Sequence, residues 1–435
     1  MPRKGPVLLL ITASSPDINK VRRSRVLNFQ QITMPYLAAF VPHHWTVLHV
    51  DEAVEPVSFE TPADLVAITF HTPSAPHAFD IASRFRERGI PVALGGPHVT
   101  LVPEEAQAHG DIIFVGEAEM QWPQFLADFE SGHFQQRYTC LDPPSLTQVP
   151  MSRKDLFHRR DHTSGVLFAT RGCAYHCDFC TLAVMYQRCV RKRAIAAVAQ
   201  EYGSFRGKVI ILWDDNIASD IEYAKELFRT LIPYNKWWSS QASIHAAEDA
   251  EFLELAARSG CKQLFLGFES ISQASVNGVS KGFNCVDRYA EAMERIHAHG
   301  ISVQAGIVFG FDGDTDSIFD ETLDFLEVTG VQNATFNILT PFPGTRLYKR
   351  LESEGRILTR DWARYNGRAN VVFQPKQMTQ ETLLQGYQRA NRRFYSWRSI
   401  SKRLRRSHVQ LSWTLPLNLS YSFALNRDAS LFSGK

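Results

Sequence analysis

The chain predicts an α/β fold of two successive parallel sheets followed by a mainly helical region. Three observations carry that reading. Short β-type runs recur with helix-length spacers between them, polar and glycine-containing segments follow the ends of those runs, and the pattern becomes helical and polar beyond about residue 345. With 435 residues, 44% of them apolar and 11% aromatic, there is material for two or three cored domains.

Residues 1–135 contain the runs Val7–Ile11, Thr46–Val50, Leu65–Phe70, Val92–Leu94 and Ile112–Val115, with helix-compatible spacers such as Ala78–Arg88. Strands separated by helices imply a parallel sheet covered on both faces, and five of them suit a flavodoxin-like, doubly wound domain. Ligands of such sheets bind beyond the strand C-termini. There "HTPSAP" follows the third run, "GGPHVT" the fourth and "GEAE" the fifth. Paired glycines permit close backbone approach, although taken alone Gly95, Gly96 and Pro97 are better read as a plain turn.

Residues 136–164, with "LDPPSLTQVP", read as a linker. Across 165–345 the strand candidates are Val166–Thr170, Val209–Trp213, Trp237–Ala242, Gln263–Phe268, Ser302–Phe309 and Ala334–Leu339. Six such units predict a partial (β/α)6 barrel with its site at the C-terminal rim. Residues 346–435 form a helical extension with a basic tail.

A net charge of +2 excludes a nucleic-acid-binding footprint. Leu8–Ile11 is too short for a signal-peptide core, and no run approaches the roughly 18 apolar residues of a membrane span. Seven cysteines, an odd and clustered set, argue against a secreted disulfide framework and for a reducing cytoplasm. Near the C-terminus Arg398, Lys402, Arg403, Arg405 and Arg406 interleave with Trp397, Ile400, Leu404 and Trp413. That pattern fits either a helix packed on the barrel or a peripheral contact with the inner membrane face that delivers a lipid substrate.

The first barrel strand runs into "RGCAYHCDFC", which places Cys173, Cys177 and Cys180 on one loop. A zinc site would need a fourth ligand, such as His176 or Cys189. Three thiolates alone suit an iron–sulfur cluster with one iron left open for chemistry. This Cys-x3-Cys-x2-Cys loop resembles that of the radical S-adenosylmethionine (SAM) superfamily, with Phe179 at its usual aromatic position. The resemblance implies a 4Fe-4S cluster on these cysteines that cleaves SAM to a 5′-deoxyadenosyl radical. It further implies SAM contacts from Asp214 and Asp215 in "LWDDNIASD", from Ser240, Gln241 and Ser243 in "WWSSQASIH", and from Glu269 in "FLGFES". Cys140, Cys189, Cys261 and Cys285 lack such spacing, and most are expected to be buried, with Cys189, so near the cluster loop, left open.

The first domain, with "LGGPHVTLVPEEA" and "DIIFVGEAEMQWPQF", resembles that of the cobalamin-dependent radical SAM group, whose hopanoid C-methylases share the general layout; "KGFN", "GFDGDT" and "PFPGTRLY" continue the likeness. Ser14, Thr72, Ser74, Gly95, Gly96, His98, Gly116 and Glu117 are the implied cobalamin contacts. "TASSPDINKVR" after the first strand contains no histidine, which implies cobalt without a lower histidine ligand, or a domain that has lost cobalamin. His71, His77 and His98 each could touch a corrin or cap a turn. The implied activity is methyl transfer to an unactivated carbon of a small molecule or lipid, with flavodoxin or ferredoxin as electron donor. A radical cyclase or coupling enzyme, and a zinc-containing scaffold or ligand-binding protein, remain alternatives.

Overall fold

β1 (Val7–Thr12) is buried along its whole length, as a strand covered on both faces must be. It pairs in parallel with β2 (Thr46–Asp51) on one side and β3 (Leu65–Thr69) on the other. β4 (Val92–Gly95), β5 (Ile112–Val115) and β6 (Arg137–Thr139) continue the sheet, giving the order β2-β1-β3-β4-β5-β6. The order reverses between β1 and β3, the flavodoxin-like switch point where ligands bind. β6 was expected within the linker, because three residues of "RYT" carry no apolar run; Tyr138, packed on Phe114 and Phe125, makes it a strand. The computed structural model describes residues 5–15, 31–140, 142–157 and 165–427. The part of "TASSPDINKVR" beyond Ser15 and residues 158–164 of the linker lie outside them.

The second sheet is also parallel. β7 (Gly165–Leu167), β10 (Val209–Leu212), β11 (Trp237–Ala242), β12 (Cys261–Glu269), β13 (Ser302–Phe309) and β14 (Asn333–Ile338) pair in strict sequence, the arrangement of a partial barrel. The first run ends earlier than expected. Thr170–Arg171 leaves it as β8 and pairs antiparallel with β9 (Arg191–Lys192). β11 alternates in burial: Trp238 and Ala242 join the core beneath the helices, and Ser239 and Gln241 face the barrel interior.

Three helices close the chain: Gln380–Phe394, Trp397–Arg406 and Leu411–Arg427. In the middle helix the expected basic surface is interrupted. Arg403 is fully buried, stacks 3.6 Å from the Phe394 ring centroid, and donates to the carbonyls of Val331 (3.0 Å), Gln332 (2.5 Å) and Phe394 (2.9 Å). It thereby satisfies a helix-end carbonyl and the turn before β14. Ile400 is buried beside it, so this helix packs on the barrel. Arg403→Met should cost roughly 3 kcal/mol or more, read as a lower urea midpoint, because several buried carbonyls lose their donor. Exposed Arg405→Met should stay within about 0.5 kcal/mol.

Candidate active site

The β8/β9 ribbon brings both ends of the cysteine loop to one point. Gly172 sits there at φ +92°, and a Cβ on it would lie 2.0 Å from the Cys189 carbonyl oxygen, so only glycine lets the returning chain pass. Asp214, fully buried, accepts hydrogen bonds from the Ala169 amide (3.2 Å), the Thr170 hydroxyl (2.6 Å) and the Thr170 amide. Burial pushes its carboxyl up to about 7 against the pull of those bonds. Asp215 accepts from the Gly172 amide at 2.7 Å. Both aspartates therefore brace the loop entry, a role that follows from the register of β10 on β7, which sets Leu212 beside Leu167.

Cys177 is buried, and Cys173 and Cys180 are half-buried. Burial pushes the Cys177 thiol up to about 12 and the Cys180 thiol up to about 11, so neither ionises unaided at neutral pH. Donors converge on the loop nonetheless. The amides of Leu182 and Ala183 reach the Cys180 sulfur at the start of the helix Thr181–Met185, and Asn216 Nδ2 lies 3.9 Å from Cys173 Sγ. No group of three or more His, Cys, Asp or Glu among the described residues is set to hold a single metal ion. Three thiols on one loop, with amide and cationic partners, are the donor set of an iron–sulfur cluster.

Lys281 is the cation, and reading the sequence alone gave it no role. Its Nζ lies 2.5 Å from Glu269 Oε1, with each side chain almost covered, and it is close enough to Cys177 to lower that thiol's pKa. Gly267 makes room for the pair: a Cβ there would lie 2.5 Å from Glu269 Oε1 and 2.9 Å from Lys281 Nζ. Glu269 itself takes φ +64° at a bulge in β12, a strained conformation of the kind stored at functional sites. Phe283 stacks on Tyr175 at 3.8 Å and so ties "KGFN" across the cysteine loop.

The other SAM candidates divide by side. Gln241 shares the inner face of β11 with Ser239, which sequence reading passed over, whereas Ser240 lies buried on the face of Trp238 and Ala242. Period-two alternation around Trp238 was the available signal. The Ser243 amide donates to Asn216 Oδ1 at 2.8 Å, and Phe179 meets Phe311 edge-on at 6.2 Å. Of the remaining cysteines only Cys261 is buried; Cys140 is intermediate, and Cys189 and Cys285 are exposed, contrary to expectation.

In the first sheet, Ser14, Thr72 and Ser74 gather at the switch point, where Ser74 Oγ accepts from the Ser15 amide at 3.0 Å. Gly96 and Gly116 have φ of +100° and +85°, and a Cβ on Gly96 would lie 2.5 Å from Thr69 Oγ1. Gly95 is less constrained, since a Cβ there would meet Phe114 at an ordinary 3.7 Å. His98 is fully buried, 3.3 Å from the Thr72 hydroxyl and packed against Phe70, Phe79 and Trp362, so its ring serves the core. His77 is held by Glu52 at 2.9 Å, and His71 is exposed.

Glu117 joins the two sheets. It accepts from Arg171 Nη1 at 2.7 Å and pairs with Arg191, while Arg171 also pairs with Glu119. The four side chains are 8–17% exposed. Burial works against Glu119, yet the Arg171 charge and hydrogen bond hold its carboxyl below the usual range. Alongside, a Cβ on Gly344 would lie 3.4 Å from Leu101 and 3.8 Å from Val184, so the ends of "GGPHVTL", the cysteine-loop helix and "PFPGT" come together. The strand-end edges of both sheets thus face each other across the cysteines.

The radical SAM superfamily pattern matches residues 167–326, the stretch that carries this loop and most of the barrel. The barrel therefore carries a radical SAM domain, and the protein is an enzyme. A domain of unknown function, DUF4070, matches residues 345–418. The enzyme is 29% identical over 379 residues to bacteriochlorophyllide d C-12(1)-methyltransferase of Chlorobaculum tepidum, covering 84% of this chain and 80% of that one. It is 28% identical over 354 residues to hopanoid C-2 methylase of Rhodopseudomonas palustris, covering 78% and 66% respectively. Among solved structures, the cobalamin-dependent radical SAM enzyme OxsB with aqua-cobalamin and SAM bound superposes with a TM-score of 0.70 at 13% identity, covering 95% of this chain and 72% of that one. At that identity the likeness carries the fold. Gly172→Ala should lower the iron held per chain after anaerobic reconstitution, because the added methyl group drives Cys189 and the returning strand away from the loop entry.

Proposed function

We propose that this radical SAM enzyme is a cobalamin-dependent C-methyltransferase acting on an unactivated carbon of a small molecule or lipid, reduced by a flavodoxin or ferredoxin. The observation that carries it is the docking of the first sheet's ligand edge onto the cysteine loop through Glu117, Glu119, Arg171 and Arg191. The curated relatives reported above are methyltransferases, which supports the same reading. When bound, the cluster with SAM supplies a hydrogen-abstracting radical and the corrin supplies the methyl group.

The chain's own residues do the rest. Cys173, Cys177 and Cys180 hold the cluster, and Lys281 balances part of its negative charge. Glu269, fixed by Lys281, is offered to the ribose, while Gln241 lines the inner wall; Asp214 and Asp215 act on SAM indirectly by fixing the loop. Ser14, Thr72 and Ser74, with the glycine turns Gly95, Gly96 and Gly116, cradle the corrin between residues 1–135 and the 165–345 barrel, and β6 extends the first unit to Thr139. Closing the two edges together excludes water from the reactive carbon.

Cys177→Ala should abolish both the cluster's absorbance and 5′-deoxyadenosine formation. A complemented deletion strain fed methionine with a deuterated methyl group should accumulate a methylated product that carries three deuterium atoms in place of the three methyl hydrogens of the unlabelled product. An unlabelled, cyclised product would show the enzyme to be non-methylating. Glu117→Gln/Glu119→Gln removes the carboxylates that pair with the two arginines; 5′-deoxyadenosine formation should persist while methylated product falls by roughly tenfold or more, as a misplacement of about 1 Å can cause. His71→Ala should leave the bound cobalamin spectrum unchanged, in keeping with cobalt that has no histidine beneath it.

A further inference from the structure

The C-terminal helix Leu411–Arg427 has two faces with different work. Its inner face covers the N-terminal ends of the barrel strands: Trp413 Nε1 donates to Gln263 Oε1 at 3.3 Å, Tyr421 receives a bond from Gln304 Nε2 at 3.3 Å, and Asn418 Nδ2 donates to the Gln332 carbonyl at 2.9 Å. Its outer face carries Leu411, Leu415, Leu419 and Phe423, exposed by 41%, 42%, 36% and 63%. Spacing of four aligns these side chains along one stripe. Water-facing positions of a helix that only plugged a barrel would be polar. Trp397 (69% exposed) and Val328 (64%) add large apolar surface on the neighbouring helices.

Charge decides what covers this stripe. Residues 397–425 contain no aspartate or glutamate. Arg398 and Arg405 are exposed, with no carboxylate partner among the described residues, and Arg406 is spent on the neutral carbonyl of Val328 at 2.9 Å. Of the exposed cations in 397–425, only Lys402 meets a carboxylate among the described residues, Glu327 at 3.0 Å. A second copy docked about a two-fold axis would bring this cationic fringe against itself. A bilayer with anionic headgroups accepts both the fringe and the stripe. No helix among the described residues is long and apolar enough to cross a membrane, so the contact lies in the interface plane.

We propose that the outer face of Leu411–Arg427, fringed by Arg398, Arg405 and Arg406, is a docking surface for anionic lipid bilayers. The surface lies at the opposite ends of the strands from the cysteines, so it tethers the enzyme without opening into the site. It also stands apart from the methyl-transfer reading, because binding is read without turnover.

The test is cosedimentation of the full chain with vesicles of phosphatidylglycerol and phosphatidylcholine or of phosphatidylcholine alone. The wild type should sediment with the anionic vesicles and be released by salt. Leu415→Glu/Leu419→Glu and Arg398→Glu/Arg405→Glu should each lower the bound fraction by roughly tenfold or more. Iron content and 5′-deoxyadenosine formation should be unchanged, which shows that the variants fold. Failure of the wild type to bind, or undiminished binding by both variants, overturns the proposal. So does a wild-type dimer that becomes monomeric in the leucine variant without any vesicle binding, since a second copy would then own the stripe.

Discussion

Four charges, those of Arg171, Arg191, Glu117 and Glu119, hold the ligand edge of one sheet against the reactive edge of the other. Removing such groups from water costs several kcal/mol per ion, and their mutual attraction roughly offsets that loss rather than adding a large surplus. What the cluster supplies is register. Arg171 also lies 4.3 Å over the Phe168 ring, and Arg191 donates to the Pro144 carbonyl at 2.9 Å, so each guanidinium is held in one orientation. A sliding apolar contact would leave the two edges free to shift, whereas these pairs can be satisfied together in few positions.

A second buried network works beside the first. Arg193 pairs with Glu201 at 2.7 Å, both essentially inaccessible, and Glu201 accepts from Tyr36 of the first unit and from Ser152 of the linker. The barrel's outer helix, the linker and the first sheet's flank are thereby tied at one carboxylate. Between the two networks runs the cysteine loop, whose entry is held by Asp214 and Asp215 and whose return is squeezed past Gly172. Loop and domain interface therefore share their supports: Arg171 and Arg191 are the ribbon strands themselves, one step before the loop and one step after it.

Apolar periodicity made the central strands legible, because β1, β3 and β5 are apolar runs with threonine only at the ends of β1 and β3. The cysteine loop was legible from its spacing. Elements formed by tertiary pairing were not: β6, β8 and β9 are two or three polar residues long and exist through their partners. Glu117 read as a ligand-edge acid, since its partner Arg171 is 54 positions away. His98 read as a rim residue because Trp362, which covers it, comes from the C-terminal extension. Arg403 read as one of a basic set that fitted a packed helix or a membrane face equally, because its burial is set by carbonyls some 70 positions earlier. Each misreading concerns a polar group whose partner lies far along the chain, where local pattern carries no information.

The central claim is that this interface places a corrin and an iron–sulfur cluster on either side of one substrate position. Electron paramagnetic resonance of protein reconstituted with both cofactors tests it most directly, with the cobalt poised as cob(II)alamin and the cluster reduced. The expected cobalt signal lacks nitrogen splitting from a protein histidine and has its relaxation accelerated by the nearby cluster, an acceleration that Glu117→Gln/Glu119→Gln weakens. A retained corrin whose cobalt relaxes identically with the cluster reduced or oxidised, or no corrin retained at all, would contradict it.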